Sequence, residues 1–323
     1  MNKKLIALAV ASVVAAPAAY SADVSVYGRI NNAITAHKTG GTNNTDVSSI
    51  GSRFGIKASS ELGNGLTATG KYEFSTTTDK EQPNIGDLRI GTVGLSGGFG
   101  SVTIGNQWSA YFDTVGTDLD AAYTLGYHLF SAAGGAYRAS NTIKYSNSFG
   151  PVYLEVDVRQ NESGEDAVLA EALRGDGWGA GVRVSPTDAF TFALAMDNEQ
   201  RTGGDIDRRG ASVRLGVGNF YGMLGYQTSE IGSGNAESQL QLWLGANVGS
   251  TRIQLGLGEA DLNHPDTNTD ASRDASQIVL GVYHSLGGGM KLYYEGTDVD
   301  DLASSNSSYA EGTTHIFGMR YDF

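Results

Sequence analysis

Apolar and polar residues alternate along most of this chain, in runs longer than a soluble sheet needs. Leu66, Ala68, Gly70, Tyr72 and Phe74 alternate with Thr67, Thr69, Lys71, Glu73 and Ser75. Val24, Val26, Gly28 and Ile30 alternate with Ser25, Tyr27, Arg29 and Asn31. Val152 to Arg159 and Gln239 to Val248 repeat the pattern. Period two is the signature of a strand with unlike faces, and helix periodicity is almost absent. Many runs hold it for about nine residues or more, the span a tilted strand needs to cross a bilayer, whereas globular strands average about five or six. The chain ends the same way. Phe317, Met319, Tyr321 and Phe323 form one face, and Ile316, Gly318, Arg320 and Asp322 the other. Such a wall suits lipid on one side and water on the other.

The opposite end predicts export. Lys3 and Lys4 precede the apolar run Leu5 to Ala16, and Pro17, Ala18 and Ala19 lead into small residues. This is a secretory signal pattern, too short for a spanning helix. Cleavage after Ser21 leaves Ala19 and Ser21 at the two positions that require small side chains, whereas cleavage after Ala22 puts Tyr20 at one of them. The reading is a signal peptide over 1–21 and one domain over 22–323. No other long apolar stretch exists, and mean hydropathy is −0.22. The mature chain is therefore either a soluble exported protein or a β-barrel, whose alternating strands are invisible to hydropathy averages.

Turn spacing favours the barrel. Short connections fall at Gly63-Asn64-Gly65, Gly97-Gly98, Phe149-Gly150-Pro151, Pro186-Thr187-Asp188, Gly218-Asn219, Gly249-Ser250 and Gly287-Gly288-Gly289. Long polar ones lie between them: His37 to Ser49, Thr77 to Gly86, Gln107 to Ala136, Asn161 to Asp176, Glu199 to Asp207, Ser229 to Ala236, Asp261 to Asp274 and Asp300 to Glu311. Seven short turns and eight long loops join sixteen strands. The predicted fold is all-β, a transmembrane antiparallel up-and-down barrel with both termini on the short-turn, periplasmic side. A barrel of about 16 strands is too wide for side chains to fill and encloses water. Glycine (45) and tyrosine (16) are abundant, as tight turns and interfacial girdles require. With no cysteine there is no disulfide framework, so the sheet itself must supply stability.

Three segments carry a family resemblance: Val26-Tyr27-Gly28-Arg29, Ser52-Arg53-Phe54-Gly55-Ile56-Lys57 and the terminal Gly318-Met319-Arg320-Tyr321-Asp322-Phe323. In their order and spacing they resemble Gram-negative general diffusion porins over the whole mature chain. The resemblance implies a homotrimer of sixteen-stranded barrels in the outer membrane, among its lipids and lipopolysaccharide. It also implies a third long loop folded into the lumen and passive passage of small hydrophilic solutes and ions.

The loop Gln107 to Ala136 matches that third loop. Tyr111, Phe112, Tyr123, Tyr127 and Phe130 make it too apolar for disorder, so it packs on the inner wall or forms an external cap. Its acids are Asp113, Asp118 and Asp120. By alternation Arg29, Arg53, Arg89 and Arg138 point inward, and the resemblance places them as a basic ladder across the constriction from those acids. The alternative for any one of them is an ion pair on a neighbouring strand, such as Arg89 with Asp87. Lys57, Lys71, Lys144, Arg183, Arg214, Glu73, Glu155 and Asp157 also face the lumen by parity, so its wall is mixed in sign. Opposed fixed charges across a narrow slot create a transverse field that sets ion preference. The sign of that preference stays open: clustered arginines favour anions, while a net charge of −15 without Lys3 and Lys4 favours cations. Phe323 is expected to be read by the barrel-assembly machinery.

Other function classes find little support. An acidic chain argues against nucleic acid. The histidines (His37, His128, His264, His284, His315) lack metal-ligand spacing, so no metal, cofactor or catalytic residue is expected. A substrate-specific channel and an outer-membrane barrel enzyme are the rivals. The inward aromatics Tyr27, Tyr153, Trp243, Tyr283 and Tyr293 are too scattered in sequence to mark a dedicated slide.

Overall fold

The computed structural model describes residues 22–39, 42–80, 85–126, 129–130, 136–160, 174–201, 204–232, 236–262, 273–300 and 312–323. The expected signal peptide, Tyr127, His128, His264 and much of the longer loops lie outside them. The described chain is one antiparallel sheet. Its strands are β1 (Asp23–Thr39), β2 (Thr42–Ser49), β3 (Arg53–Gly63), β4 (Leu66–Thr76), β5 (Ile85–Gly97), β6 (Gly100–Trp108), β7 (Arg138–Phe149) and β8 (Val152–Arg159). The second half adds β9 (Arg174–Thr187), β10 (Phe190–Arg201), β11 (Ile206–Val217), β12 (Phe220–Ile231), β13 (Ala236–Val248), β14 (Thr251–Leu262), β15 (Arg273–Gly287), β16 (Met290–Asp300) and β17 (Gly312–Asp322).

Each strand pairs with its sequence neighbours, and β1 pairs with β17, so the sheet closes. β2 and β3 both lie along β1, the first against its outer half and the second against its inner half. They form one wall strand interrupted at Ile50–Ser52, and the barrel has the expected sixteen wall strands. The interruption is sealed locally: Ile50 N donates to Asn31 O at 2.8 Å, and Asn31 Nδ2 donates to Ile50 O at 2.7 Å.

The expected first long loop, His37 to Ser49, is instead a β-hairpin extension of the wall. Its side chains (Thr42 to Ser49) are mostly exposed and polar, so no apolar face marked it as strand. Backbone pairing with β1 alone suffices where both faces meet water. At the opposite end, Gly63, Asn64 and Gly65 all take positive φ (86°, 53° and 73°), the conformation that makes so tight a hairpin.

The two faces invert the rule for soluble proteins. Val24, Val26, Ile30, Ile34, Leu224, Leu240, Leu244, Leu257, Phe317 and Met319 are exposed on the outside. Gln227, Gln239, Gln241, Gln254, Gln277, Glu155 and Glu295 are buried on the inside. Apolar outside and polar inside is the pattern of a barrel in lipid with an aqueous interior. No described helix is long and apolar enough to cross a membrane. The apolar core lies not within the wall but between it and the segment after β6. There Tyr111, Phe112, Val115, Leu119 and Phe130 pack against Ala193 and Ala195, and Leu125 packs against Met223, Trp243 and Val279.

Closure depends on Gly28. Gly28 N donates to Phe323 O at 2.9 Å and Phe323 N donates to Gly28 O at 3.0 Å. A Cβ at residue 28 would meet the Phe323 ring and the Arg53 carbonyl. Gly28 is thus the covered seat of the terminal aromatic, not a bare patch of the outer face. Gly28→Val should lower stability by about 1–3 kcal/mol through overpacking, read as an earlier urea-unfolding midpoint in detergent. An unchanged midpoint would remove the ring-on-glycine seal from the closure.

Candidate functional site

After Trp108 the chain leaves the wall and turns into the lumen. Ser109 Oγ accepts from Phe112 N at 3.1 Å and starts a short helical stretch, a π-helical turn over Phe112–Gly116 followed by Thr117–Leu119. Its root is fastened by charge. Asp157 Oδ2 accepts from Ala110 N at 2.6 Å. Behind it, Arg159 bridges Asp157 and Asp197, and Arg208 bridges Asp197 (2.6 Å) and Glu199 (3.0 Å). Asp157, Asp197 and both arginines are buried, so each charge is compensated by hydrogen-bonded partners.

Further along, the wall holds the loop with neutral donors. Gln254 Nε2 donates to Ala121 O (3.3 Å), Gln277 Nε2 to Leu125 O (2.8 Å), Gln241 Nε2 to Gly126 O (3.4 Å) and Gln227 Nε2 to Phe130 O (3.1 Å). At the tip a carboxylate takes over. Glu295 on β16, fully buried, accepts from the backbone N–H of Tyr123 (2.6 Å), Thr124 (3.0 Å) and Leu125 (2.9 Å), and from Tyr283 OH (2.7 Å). The Tyr123 ring packs 4.4 Å from Tyr283 and 5.4 Å from Tyr293, with the Arg320 guanidinium 4.3 Å from its centroid. The loop therefore runs along the inner wall from β7 to β16 and returns.

The remaining inner wall, around β16, β17, β1 and β3–β5, carries the cations. Arg29, Lys291 and Arg320 all pair with Asp322, at 2.8, 2.8 and 2.9 Å. Arg53 and Arg89 share Glu73, at 3.5 and 2.9 Å, and Tyr27 OH donates to the same carboxylate at 3.0 Å. Arg89 thus pairs across strands with Glu73, not with Asp87. Five cations share two acids here. Lys57 and Lys71 flank the Tyr27 ring at 6.0 and 5.4 Å.

The loop acids are engaged elsewhere. Asp113 pairs with Lys144 at 2.6 Å, and Lys144 also binds Glu155 at 2.6 Å. Asp118 accepts from Ser212 Oγ at 2.7 Å and lies 3.6 Å from Arg183. Arg183 in addition donates to the Thr114 carbonyl. Asp120 follows the helical stretch, and its carboxyl is pushed up to about 7, chiefly by burial and then by the Glu295 charge. Among the described residues, the ion pairs of Asp113 and Asp118 run to the wall that carries the loop, and those of Arg29, Arg53 and Arg89 run to Asp322 and Glu73. Arg138 stacks on Trp108, 5.1 Å from its centroid, at the point where the loop leaves the wall.

Sequence reasoning missed Glu295, Arg320, Lys291 and the glutamine row as parts of one site. Arg320 and Lys291 had the right parity, but nothing in local sequence joins them to residue 123. His37, His284 and His315 bond to Thr314, Thr251 and Tyr294. Among the described residues no group of acids and histidines is arranged to hold a metal.

A family model described as Gram-negative porin matches residues 7–304. The chain belongs to the Gram-negative porin family. Its barrel is accordingly placed in the outer membrane. Major outer membrane protein P.IB of Neisseria meningitidis serogroup B / serotype 15 (strain H44/76) is 35% identical over 123 residues, 35% of this chain and 36% of that protein. The same protein of Neisseria lactamica is 34% identical over 117 residues, 33% of each chain. The matches thus span about a third of these curated relatives. Among solved structures, the porin resembles OmpF of Salmonella typhi in complex with daunomycin, with a TM-score of 0.79, 18% identity and coverage of 93% and 97% of the two chains. It also resembles an anion-selective porin from Comamonas acidovorans, with a TM-score of 0.74, 22% identity and coverage of 94% and 100%. At these identities the likeness is one of fold.

The Asp120 shift has a measurable consequence in this porin. A carboxyl held near 7 is neutral below that pH and gains its charge above it. Raising pH from 6 to 8 should therefore shift the reversal potential in a salt gradient toward cations, and Asp120→Asn should lose most of that shift. An equal shift in the variant would assign the titration to other groups.

Proposed function

We propose that this porin forms a water-filled outer-membrane channel for passive diffusion of small hydrophilic solutes and ions, and that its constriction favours anions. The observation that carries the reading is the unequal distribution of charge. Among the described residues, Arg29, Arg53, Arg89, Lys291 and Arg320 on the open wall share two acids, Glu73 and Asp322. On the loop side, Asp113 and Glu155 share Lys144, Asp118 lies beside Arg183, and Asp120 is only partly ionised at neutral pH. The residual field in the slot is positive, which attracts anions and orients polar solutes. Arginine keeps this charge at every relevant pH.

Within this reading residues 1–21 are the cleaved signal peptide and 22–323 the barrel. The functional unit is a trimer packed through the early strands; one Vibrio cholerae OmpT structure of the same fold is described as a trimer form. Phe323 is the residue read during barrel assembly, besides its place over Gly28. The channel is not an enzyme. Tyr123, Tyr283 and Tyr293 cluster at the loop tip, but Tyr283 and Tyr293 are buried against it, which suits an anchor better than a sugar slide.

Liposome swelling tests the diffusion reading: rates should fall smoothly with sugar size, whereas saturable uptake of one sugar would favour a specific channel. For the constriction, Arg53→Gln with Arg89→Gln removes two of the five cations. The cation-to-anion permeability ratio should rise about two- to tenfold at low salt and the change should shrink near 1 M, where the screening length is about 3 Å. Variants with the parent's ratio at low salt would remove these arginines from the slot.

A further inference from the structure

The inner wall below the arginines holds a second basic feature that the constriction does not use. Lys57 on β3 stands directly opposite Lys71 on β4. The row continues to Ser25 on one side and Thr92 on the other. Like charges placed directly across two strands destabilise a sheet. Elsewhere on this wall each cation has an acid: Arg29 has Asp322, and Arg53 and Arg89 have Glu73. Among the described residues neither Lys57 nor Lys71 makes an ion pair. Their only charge-related contact is the Tyr27 ring between them and the arginine row. That ring lies over Gly55, where a Cβ would collide with it, so the aromatic is seated by design of the backbone. Glu73, the nearest acid toward the arginines, is already committed to Arg53, Arg89 and Tyr27.

The two lysines border a cavity of about 550 Å³. Ser25, Ser59, Thr69, Thr92 and Asp23 line it with them, together with Val24, Ala58 and Gly70. Four hydroxyls supply neutral donors beside two ammonium groups, and the single acid, Asp23, pairs in register with Ser59 one row nearer the periplasmic end. The cavity is therefore rich in donors and carries a net positive charge.

We propose that Lys57 and Lys71 form an oxyanion-binding station on the periplasmic side of the constriction, taking small doubly charged anions of the phosphate type. It rests on the channel reading above and specifies which anion the pore handles differently from chloride. A dianion between the lysines removes the repulsion that the empty row retains, which a single chloride does less well. The four residues from Arg53 to Lys57 correspond to about 13 Å of strand at ~3.3 Å per residue, so an anion leaving the arginines meets this station next. Asp23 limits how tightly the anion is held, and a station on a conduction path must release what it binds.

The test uses the full-length porin in planar bilayers with inorganic phosphate as the probe, at constant ionic strength and about pH 8, where phosphate is mostly doubly charged. In the parent, chloride current should fall to a plateau as phosphate rises. In Lys57→Gln with Lys71→Gln, the half-saturating phosphate concentration should rise about tenfold or more, the scale of one lost charge-assisted contact. Lys57→Arg with Lys71→Arg should retain saturation, since charge and donors persist. A Gln variant that saturates at the parent's concentration overturns the station, and so does a parent whose current shows no saturation. Absence of any channel current from correctly folded trimers would instead strike the channel reading itself.

Discussion

The lumen of this porin is organised by one carboxylate. Glu295 takes three consecutive backbone N–H groups of the loop tip and the Tyr283 hydroxyl, in a fully buried position. A charged acceptor with several donors is among the stronger polar contacts available to a protein, and leaving those N–H groups unpaired would cost about 1–3 kcal/mol each. The consequence is geometric. With its tip tied to β16, the loop lies along β7–β16 and covers their polar inner face. The uncovered wall is then the Lys291 end of β16 together with β17, β1 and β3–β5, where the cations stand. Which charges the lumen exposes thus follows from where the loop is fastened.

The fastening is divided by chemistry. At the root, buried ion pairs among Asp157, Arg159, Asp197, Arg208 and Glu199 hold Ala110 and the first helical turn. Along the middle, four glutamines read loop carbonyls without adding charge. At the tip, Glu295 and the Tyr123–Arg320 stack join the loop to the cationic wall itself. Two of the loop acids, Asp113 and Asp118, pair with Lys144 and Arg183 on the wall that carries the loop.

The fold was legible because a barrel in lipid leaves a period-two record in its spanning strands and glycine at most of its tight turns. Val24 to Ile30 and Phe317 to Phe323 face where parity put them. The hairpin at Thr42 to Ser49 escaped, because a strand with water on both faces has no apolar period to betray it. Inward direction was equally readable for Arg29, Arg53, Arg89, Lys144 and Glu73. Partnership was not. Parity says which side a residue faces, but Asp113 with Lys144, and Glu295 with residues 123–125, are pairings across a folded loop, 31 and about 170 positions apart. The same holds for Tyr283 and Tyr293, which stack on each other and close around Tyr123 of the loop.

The claim that Glu295 sets the position of the loop is tested most directly by single-channel recording of Glu295→Ala. Removing the side chain frees three loop N–H groups while the root ion pairs are untouched. The expected result is a folded barrel with the parent's heat stability but with an unsteady pore: current sublevels and excess open-channel noise where the parent shows one steady level. A variant with the parent's single level and noise would show that the loop stays in place without this carboxylate and would contradict its central role.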